Sequence, residues 1–352
     1  MKTIPNYIIV LAMACLCCSS PRLEAKIKYV KVTPRQDLAA LVRNARANTA
    51  FLLTPGTYRL KPQEPHLQGV LLENKSNVAI IGKNRDATRI ELSAGMKFGF
   101  YIGSNLSNVT IQGLTISGTP PLKENTHAIG NYSGSTKNKG LRFTNLRIEK
   151  VAVGISVATA VSSDYDDVLI DRNIIGPTIG TDAGWGYGVH VENATRVTIA
   201  DNLIRECTRH SIYLARAAKG SEIAIRRNLI LNHDAAAKQP RWYCAALTCA
   251  RSSGVTIAGN LIVNPRTIAI SVEPDEFMGW PTENVSLFSN RVLGSRRVGI
   301  WVTSGGSCNA LANTVSLDPS PPDPQWCREM STYDYARGKK TESTISAPLE
   351  NW

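Results

Sequence analysis

The eight residues Val197-Thr198-Ile199-Ala200-Asp201-Asn202-Leu203-Ile204 return almost unchanged as Val255-Thr256-Ile257-Ala258-Gly259-Asn260-Leu261-Ile262. Each copy alternates apolar with polar residues, breaks at a short polar turn and resumes apolar, which reads as two strands meeting at a corner. Equivalent strand starts fall at Val78, Val109, Leu141, Val168, Ile223 and Val285. A steady period of about 30 residues marks a solenoid. Asparagine recurs in the corners at Asn145, Asn173, Asn202, Asn228, Asn260, Asn290 and Asn313. Asn tolerates a left-handed backbone and hydrogen-bonds its neighbours, so the spacing predicts a column of stacked turn amides.

A third strand completes the coils, as in Gly154-Ile155-Ser156-Val157, Gly188-Val189-His190-Val191, Ser211-Ile212-Tyr213-Leu214, Ala269-Ile270-Ser271-Val272 and Gly299-Ile300-Trp301-Val302. Strand alternation turns the apolar members inward and leaves an outward column of Ser156, His190, Tyr213, Ser271 and Trp301. A neighbouring column holds Glu192, Glu273 and Thr303. Coils stacked about 4.8 Å apart make His190 and Tyr213 direct neighbours. By the same alternation His210 falls with Tyr187 on the inward parity. His66, His127 and His233 have no comparable partners in the sequence and read as surface residues.

The repeat and its asparagine turns resemble the right-handed parallel β-helix proteins of the pectate-lyase-like superfamily, over roughly Val78 to Val315. The expected fold is all-β, a right-handed parallel β-helix with an N-terminal helical cap. A leucine-rich repeat is the architectural alternative, but Leu-x-x-Leu-x-Leu is absent. Residues 1–25 read as a signal peptide, because Lys2 precedes an apolar run from Ile8 to Cys18 that is too short to span a bilayer. Cys15, Cys17 and Cys18 keep a lipoprotein open as the alternative, so the expected location is secreted or periplasmic. Residues 26–60 read as the cap, with Leu38, Leu41, Val42 and Ala45 at helical spacing. Residues 61–316 form the solenoid and 317–352 a tail or C-terminal cap. Beyond the leader, Cys244 with Cys249 and Cys308 with Cys327 are expected disulfides, with Cys207 buried in a repeat.

Composition narrows the partners. The 43% hydrophobic and 19% charged content describes a folded chain, not a disordered one. A net charge of +12 attracts polyanions, and outside the cytosol acidic polysaccharide is more available than nucleic acid. No integral membrane segment remains after leader removal, and a solenoid sealed at both ends is expected to be a monomer.

Tyr187-Gly188-Val189-His190-Val191-Glu192-Asn193, followed one coil later by Arg209-His210-Ser211-Ile212, resembles the paired signatures of the periplasmic mannuronan C5-epimerases. Tyr187, Gly188, Arg209 and His210 keep the family's identity. His190, Val191 and Glu192 stand where the family has Asp, Pro and His.

Such a site implies proton abstraction at C5 of a uronate, which needs a base and a neutralised carboxylate. His190 or His210 is the candidate base, and Tyr187 or Tyr213 the candidate acid. Arg209 or Arg216 would bind the carboxylate as a planar fork. Glu192, Arg216, Glu273 and Trp301 are the expected substrate-binding residues, with Trp301 and Trp185 as stacking platforms. The substitutions at His190 and Glu192 put a polysaccharide lyase slightly ahead of a C5-epimerase. Glu192, Glu273, Asp275 and Glu276 leave open a glycoside hydrolase, since paired carboxylates serve that chemistry too. They also leave Ca²⁺ open, although no Asp-x-Asp-x-Asp cluster occurs and no cofactor is otherwise expected. A non-catalytic β-helix that binds or exports a polysaccharide, or an adhesin, is the remaining alternative.

Overall fold

The computed structural model describes residues 26–317, apart from 120–124, 132–136, 159–164, 181–184, 234–243, 275–280, 297 and 303–307. It is an all-β right-handed parallel solenoid. Among the described residues, three parallel sheets of 11, 9 and 10 strands run along it, and consecutive coils pair strand to strand. The repeat read from sequence is the observed register. Val78 pairs with Val109, Val109 with Leu141, Leu141 with Val168 and Val168 with Val197. Ile223 then pairs with Val255 and Val255 with Val285.

Inward residues of successive coils stack into one continuous core, from Val32 near the start to Ile300. Val168, Ile170, Val197, Ile199, Ile223 and Ile225 are all 2% exposed or less. Each such side chain contributes roughly 1.5–3 kcal/mol by leaving water. The Leu38–Arg43 helix is started by Asp37, whose carboxylate accepts the Ala40 N–H at 3.0 Å. It buries Leu38, Ala39 and Val42 beside Gln68–Leu72, the outermost strand of the nine-stranded sheet. The flanking strands Lys28–Val32, Thr49–Leu53 and Gly56–Leu60 already pair into the other two sheets.

The asparagine column is real, but it differs from the expectation in membership and in cause. Asn173, Asn202, Asn228, Asn260 and Asn290 each pass an Nδ2–H to the Oδ1 of the next, the last to Asn313, at 2.9–3.0 Å. The second Nδ2–H of Asn228 goes to Ile199 O of the preceding coil at 3.0 Å, so each corner is tied to the coils on both sides. Asn145 stands one position too early: the Leu146 N–H meets Asn173 Oδ1, and Leu146 occupies the ladder position. The left-handed residue is the one before each ladder member, such as Asp201 at φ 57 and Arg227 at φ 53, and Asn145 at φ 52 belongs to that set. The ladder asparagines are therefore kept for their buried amides and not for backbone tolerance.

Cys207, Cys244, Cys249 and Cys308 are free thiols, which corrects the expected Cys244–Cys249 bridge. These two lie at opposite ends of one extended segment, Ala245–Ala250 being the strand. At ~3.3 Å per residue their separation is roughly 16 Å, far past the ~7 Å Cα limit for a disulfide. Cys327, the expected partner of Cys308, lies outside the described residues, as do the leader, the tail, Thr303, Asp275 and Glu276.

Replacing Asn228 by Leu should cost on the order of 3 kcal/mol or more, because it takes the side-chain partner from the buried Ile199 O and from the Asn202 N–H and Nδ2–H together. Urea unfolding of Asn228→Leu against Asn145→Leu checks this: the second variant lies off the ladder and should lose much less.

Candidate active site

The nine-stranded sheet carries the outward column expected from sequence. Ser156 pairs with His190 and His190 with Tyr213, and the column continues through Thr248 and Ser271 to Trp301. Thr248 was missed because residues 234–243 separate its strand from the regular period. Ala246-Leu247-Thr248-Cys249 nonetheless has the small–apolar–polar–apolar pattern of its neighbours, the signal that could have found it.

Strict alternation fails at one point of these strands, and the site depends on that failure. Tyr187 and His210 are partners across adjacent strands, and neither belongs to the interior core. They turn outward, which corrects their inward placement. The cause is the small residue that follows each. A Cβ on Gly188 would stand 2.7 Å from Ile204 Cγ2 and 3.1 Å from Cys207 Sγ, so position 188 faces the interior as Val189 does. Two successive inward positions bend the strand and throw the preceding side chain to the outer layer.

Four rings meet there. Tyr187 stacks on His190 at 5.0 Å and on His210 at 5.6 Å, with interplanar angles of 19° and 14°. Tyr213 touches His190 at 5.4 Å, His210 at 5.0 Å and Tyr187 at 5.6 Å. The His210 Nδ1 lies 2.9 Å from Ala245 O, an acceptor only, so Nδ1 carries the hydrogen and Nε2 the lone pair. Thr248 Oγ1 sits 3.0 Å from the same Nδ1. Burial drives the His210 pKa well below that of a free imidazole, with the His233 and Arg209 charges adding to it. Burial raises the Tyr187 and Tyr213 hydroxyls, against the opposing pull of Arg209 and Arg251 respectively. A neutral imidazole therefore packs against a protonated phenol at neutral pH.

Charged groups rim the quartet. The Arg209 guanidinium lies over the Tyr187 ring, 5.1 Å from its centroid. His190 Nε2 lies 3.3 Å from Glu192 Oε1, a close polar contact, and its Nδ1 is 3.4 Å from Ser156 Oγ. Arg216 Nη1 is 3.6 Å from Glu192 Oε2. Burial pushes the Glu192 carboxyl up, but the His190 contact and the Arg216 and Arg251 charges outweigh it and hold it low. Glu273 is raised by burial. Arg251 was not singled out from sequence: its Nη2 donates to Tyr213 Oη at 2.8 Å. Arg216 and Arg251 occupy the same turn on successive coils at φ 55 and 50, a left-handed conformation that costs a non-glycine residue ~1 kcal/mol or more.

Other expected residues sit differently. Trp301 is 6% exposed and packs with Ala245, Ile268 and Val298, away from the quartet, so it is no open stacking platform. His127 and His233 are buried, not surface residues. His127 stacks on Phe98 at 5.1 Å and meets Trp185 edge-on at 5.5 Å, while His233 reaches Ser211 Oγ at 3.5 Å. Among the described residues no cluster of three or more His, Cys, Asp or Glu is arranged to hold a metal ion, and no helix is long and apolar enough to cross a membrane.

Fold and site define a parallel β-solenoid with an acid–base cluster on one sheet. The chain belongs to the right-handed β-helix family, whose model, described as "Right handed beta helix region", matches residues 63–315. A search of curated proteins by sequence finds no match. Among solved structures, the chain is similar to an alginate lyase from Paenibacillus sp. str. FPU-7 at 14% identity, over 84% of this chain and 96% of that one, with a TM-score of 0.57. It also aligns with the A-module of a mannuronan C-5 epimerase from Azotobacter vinelandii at 13% identity, over 81% and 92% of the two chains, with a TM-score of 0.47. At these identities the likeness is one of fold.

The buried histidines give a pH test. Above pH 6.5 folded and unfolded imidazoles are both neutral and stability is full. Below it the unfolded chain binds protons that folded His127 and His233 refuse until about pH 3. Unfolding free energy should fall from pH 6.5 towards pH 4 by up to about 1.4 kcal/mol per pH unit for each group. In urea titrations across this range His233→Gln should flatten the slope, and an unchanged slope would contradict a buried neutral His233.

Proposed function

We propose that this protein is an exported enzyme that cleaves an acidic, uronate-containing polysaccharide by β-elimination. The observation that carries the reading is the quartet, in which a neutral imidazole with its Nδ1 hydrogen tied to Ala245 O packs against a phenol held by Arg251. His210 Nε2 takes the C5 proton of a uronate whose carboxylate lies among Arg209 and Arg216. Electrons of the broken C5–H bond form the C4–C5 double bond as the C4–O4 bond breaks, and Tyr213 gives its proton to the departing O4. The Arg251 guanidinium stabilises the resulting phenolate, which regains its proton from His210 and restores the enzyme.

Elimination is favoured over epimerisation by the placement of acid and base. Epimerisation delivers the returning proton to the opposite face of the sugar ring. His210 and Tyr213 instead project from one face of one strand, with rings 5.0 Å apart. His190, gripped between Glu192 and Ser156, is read as a support for Tyr213 and Tyr187. Export is supported by the Lys2 and Ile8–Cys18 pattern of the leader.

A glycoside hydrolase is the second reading, favoured by the opposite shifts of Glu192, held low, and Glu273, raised. Against it, the Ala215 and Ala250 strands separate the two. That places their backbones roughly 14 Å apart, three steps of ~4.8 Å.

Incubation with a panel of uronate polymers distinguishes the outcomes. Absorbance from new unsaturated ends is expected. Deuterium uptake at C5 without chain shortening would mean an epimerase, and reducing ends without unsaturation a hydrolase. His210→Gln and Tyr213→Phe should each lower turnover by roughly 10²–10⁴-fold, and full turnover in either would remove it from the site. Arg251→Ala should lower kcat more than it raises KM, because it touches Tyr213 and not the sugar in this reading.

A further inference from the structure

The site sheet is chemically divided, and the quartet stands at the division. Towards the N-terminal end its outer face is aromatic. His66 stacks on Tyr101 at 4.2 Å and 11°, Tyr101 meets Phe98 edge-on at 5.0 Å, and Phe98 stacks on His127. His127 meets Trp185 at 5.5 Å, and Trp185 meets Tyr187 at 6.3 Å. Ring contacts thus run unbroken from the catalytic cluster to His66. Most of this floor is buried, but His66 is exposed and Trp185 half-buried, so each end of the run shows ring surface to solvent. The strands of Tyr101 and Tyr187 are three steps apart, roughly 14 Å at ~4.8 Å per step, so the ring run is long enough to underlie more than one sugar.

Towards the C-terminal end the sheet is instead bracketed by cations. Among the described residues at a strand end or within two positions of it, the last four strands carry Arg209, Arg216, Arg251, Arg266 and Arg296 against one acid, Glu273. The first five strands carry Lys97 against Glu73 and Glu192, so they hold no surplus positive charge. Arg209, Arg216 and Arg251 reach over the sheet face, as their contacts with Tyr187, Glu192 and Tyr213 show.

A homopolymer of uronates would present a carboxylate at every position along such a track. Half of this track has no surplus positive charge to receive one and offers the His66 and Trp185 rings at its two ends instead, whose faces favour the C–H faces of neutral sugars. Resting on the elimination reading, we infer that the substrate is a mixed polysaccharide. It lies along the solenoid axis with uronate at and beyond the quartet towards the C-terminal end, and with neutral sugars stacked on the Trp185 to His66 stretch.

Binding to the Tyr213→Phe protein, measured calorimetrically without turnover, tests this independently of the chemistry. The probes are three oligosaccharides of equal length: one mixed, with uronates in one half and neutral hexoses in the other, one all-uronate, and one all-neutral. The mixed oligosaccharide should bind about tenfold or more tighter than the other two. Adding His66→Ala or Trp185→Ala should weaken the mixed oligosaccharide several-fold and leave the all-uronate one unchanged. Adding Arg266→Ala should weaken both, by a factor that shrinks as salt is raised. All-uronate binding equal to or tighter than mixed, or equal losses for both ligands with His66→Ala and Trp185→Ala, would overturn the inference. If no polymer yields unsaturated ends but the binding pattern holds, the elimination chemistry fails and the divided track stands.

Discussion

Parallel hydrogen bonding between successive coils is the constraint from which the rest follows. It fixes each side chain about 4.8 Å from its equivalent above and below, so a residue type repeated in sequence becomes a column in space. Inward columns of Val and Ile become the core. The corner column of Asn becomes a chain of buried amides, each satisfying the next. Columns also remove the need for long-range coincidence in building a site: His210 and Tyr213 come from one strand, and Tyr187 and His190 from the strand beside it.

What makes that site more than a row of outward side chains is the interruption of alternation at Gly188 and Ser211. Regular strands would put Tyr187 and His210 into the core and leave His190 and Tyr213 as isolated surface groups. The bend instead supplies a second outward column, and two columns across two strands give four mutually packed rings. Burial then does the electrostatic work, because it disfavours the charged form of both residue types: the His210 imidazole stays neutral, and the Tyr187 and Tyr213 phenols stay protonated.

The fold was legible because its signals are local and repeated. Val197–Ile204 against Val255–Ile262 gives period, strand and corner at once, and the predicted strand starts are partners in the sheet. His190 beside Tyr213 was legible for the same reason. What escaped was whatever broke the period or depended on space. Strict alternation misplaced Tyr187 and His210, since an inward Gly188 has no side chain to announce its direction. Thr248 was hidden by the longer connection before its strand. Arg251 follows a strand in an unremarkable Ala-Arg-Ser context, and its aim at Tyr213 is set by a left-handed turn that its own residue type does not favour. His127 and His233 lie in strand or corner positions that no motif marks, and their burial comes from neighbours distant in sequence.

These departures share a physical character. A solenoid built only from favourable local choices would place Val or Ile at positions 127, 210 and 233, and Asn or Gly at 216 and 251. Three buried imidazoles weaken the folded state in acid, and two left-handed arginines each add backbone strain. Left-handed residues recur along the whole stack, as at Lys150, Arg172 and Arg227, whereas the buried imidazoles do not. His210 lies in the ring quartet and His233 reaches the next residue, Ser211, where the proposed proton transfer would need a neutral base, a protonated acid and cations held at fixed positions. A long, regular stack can carry that local loss, because each coil is stabilised by the two that flank it.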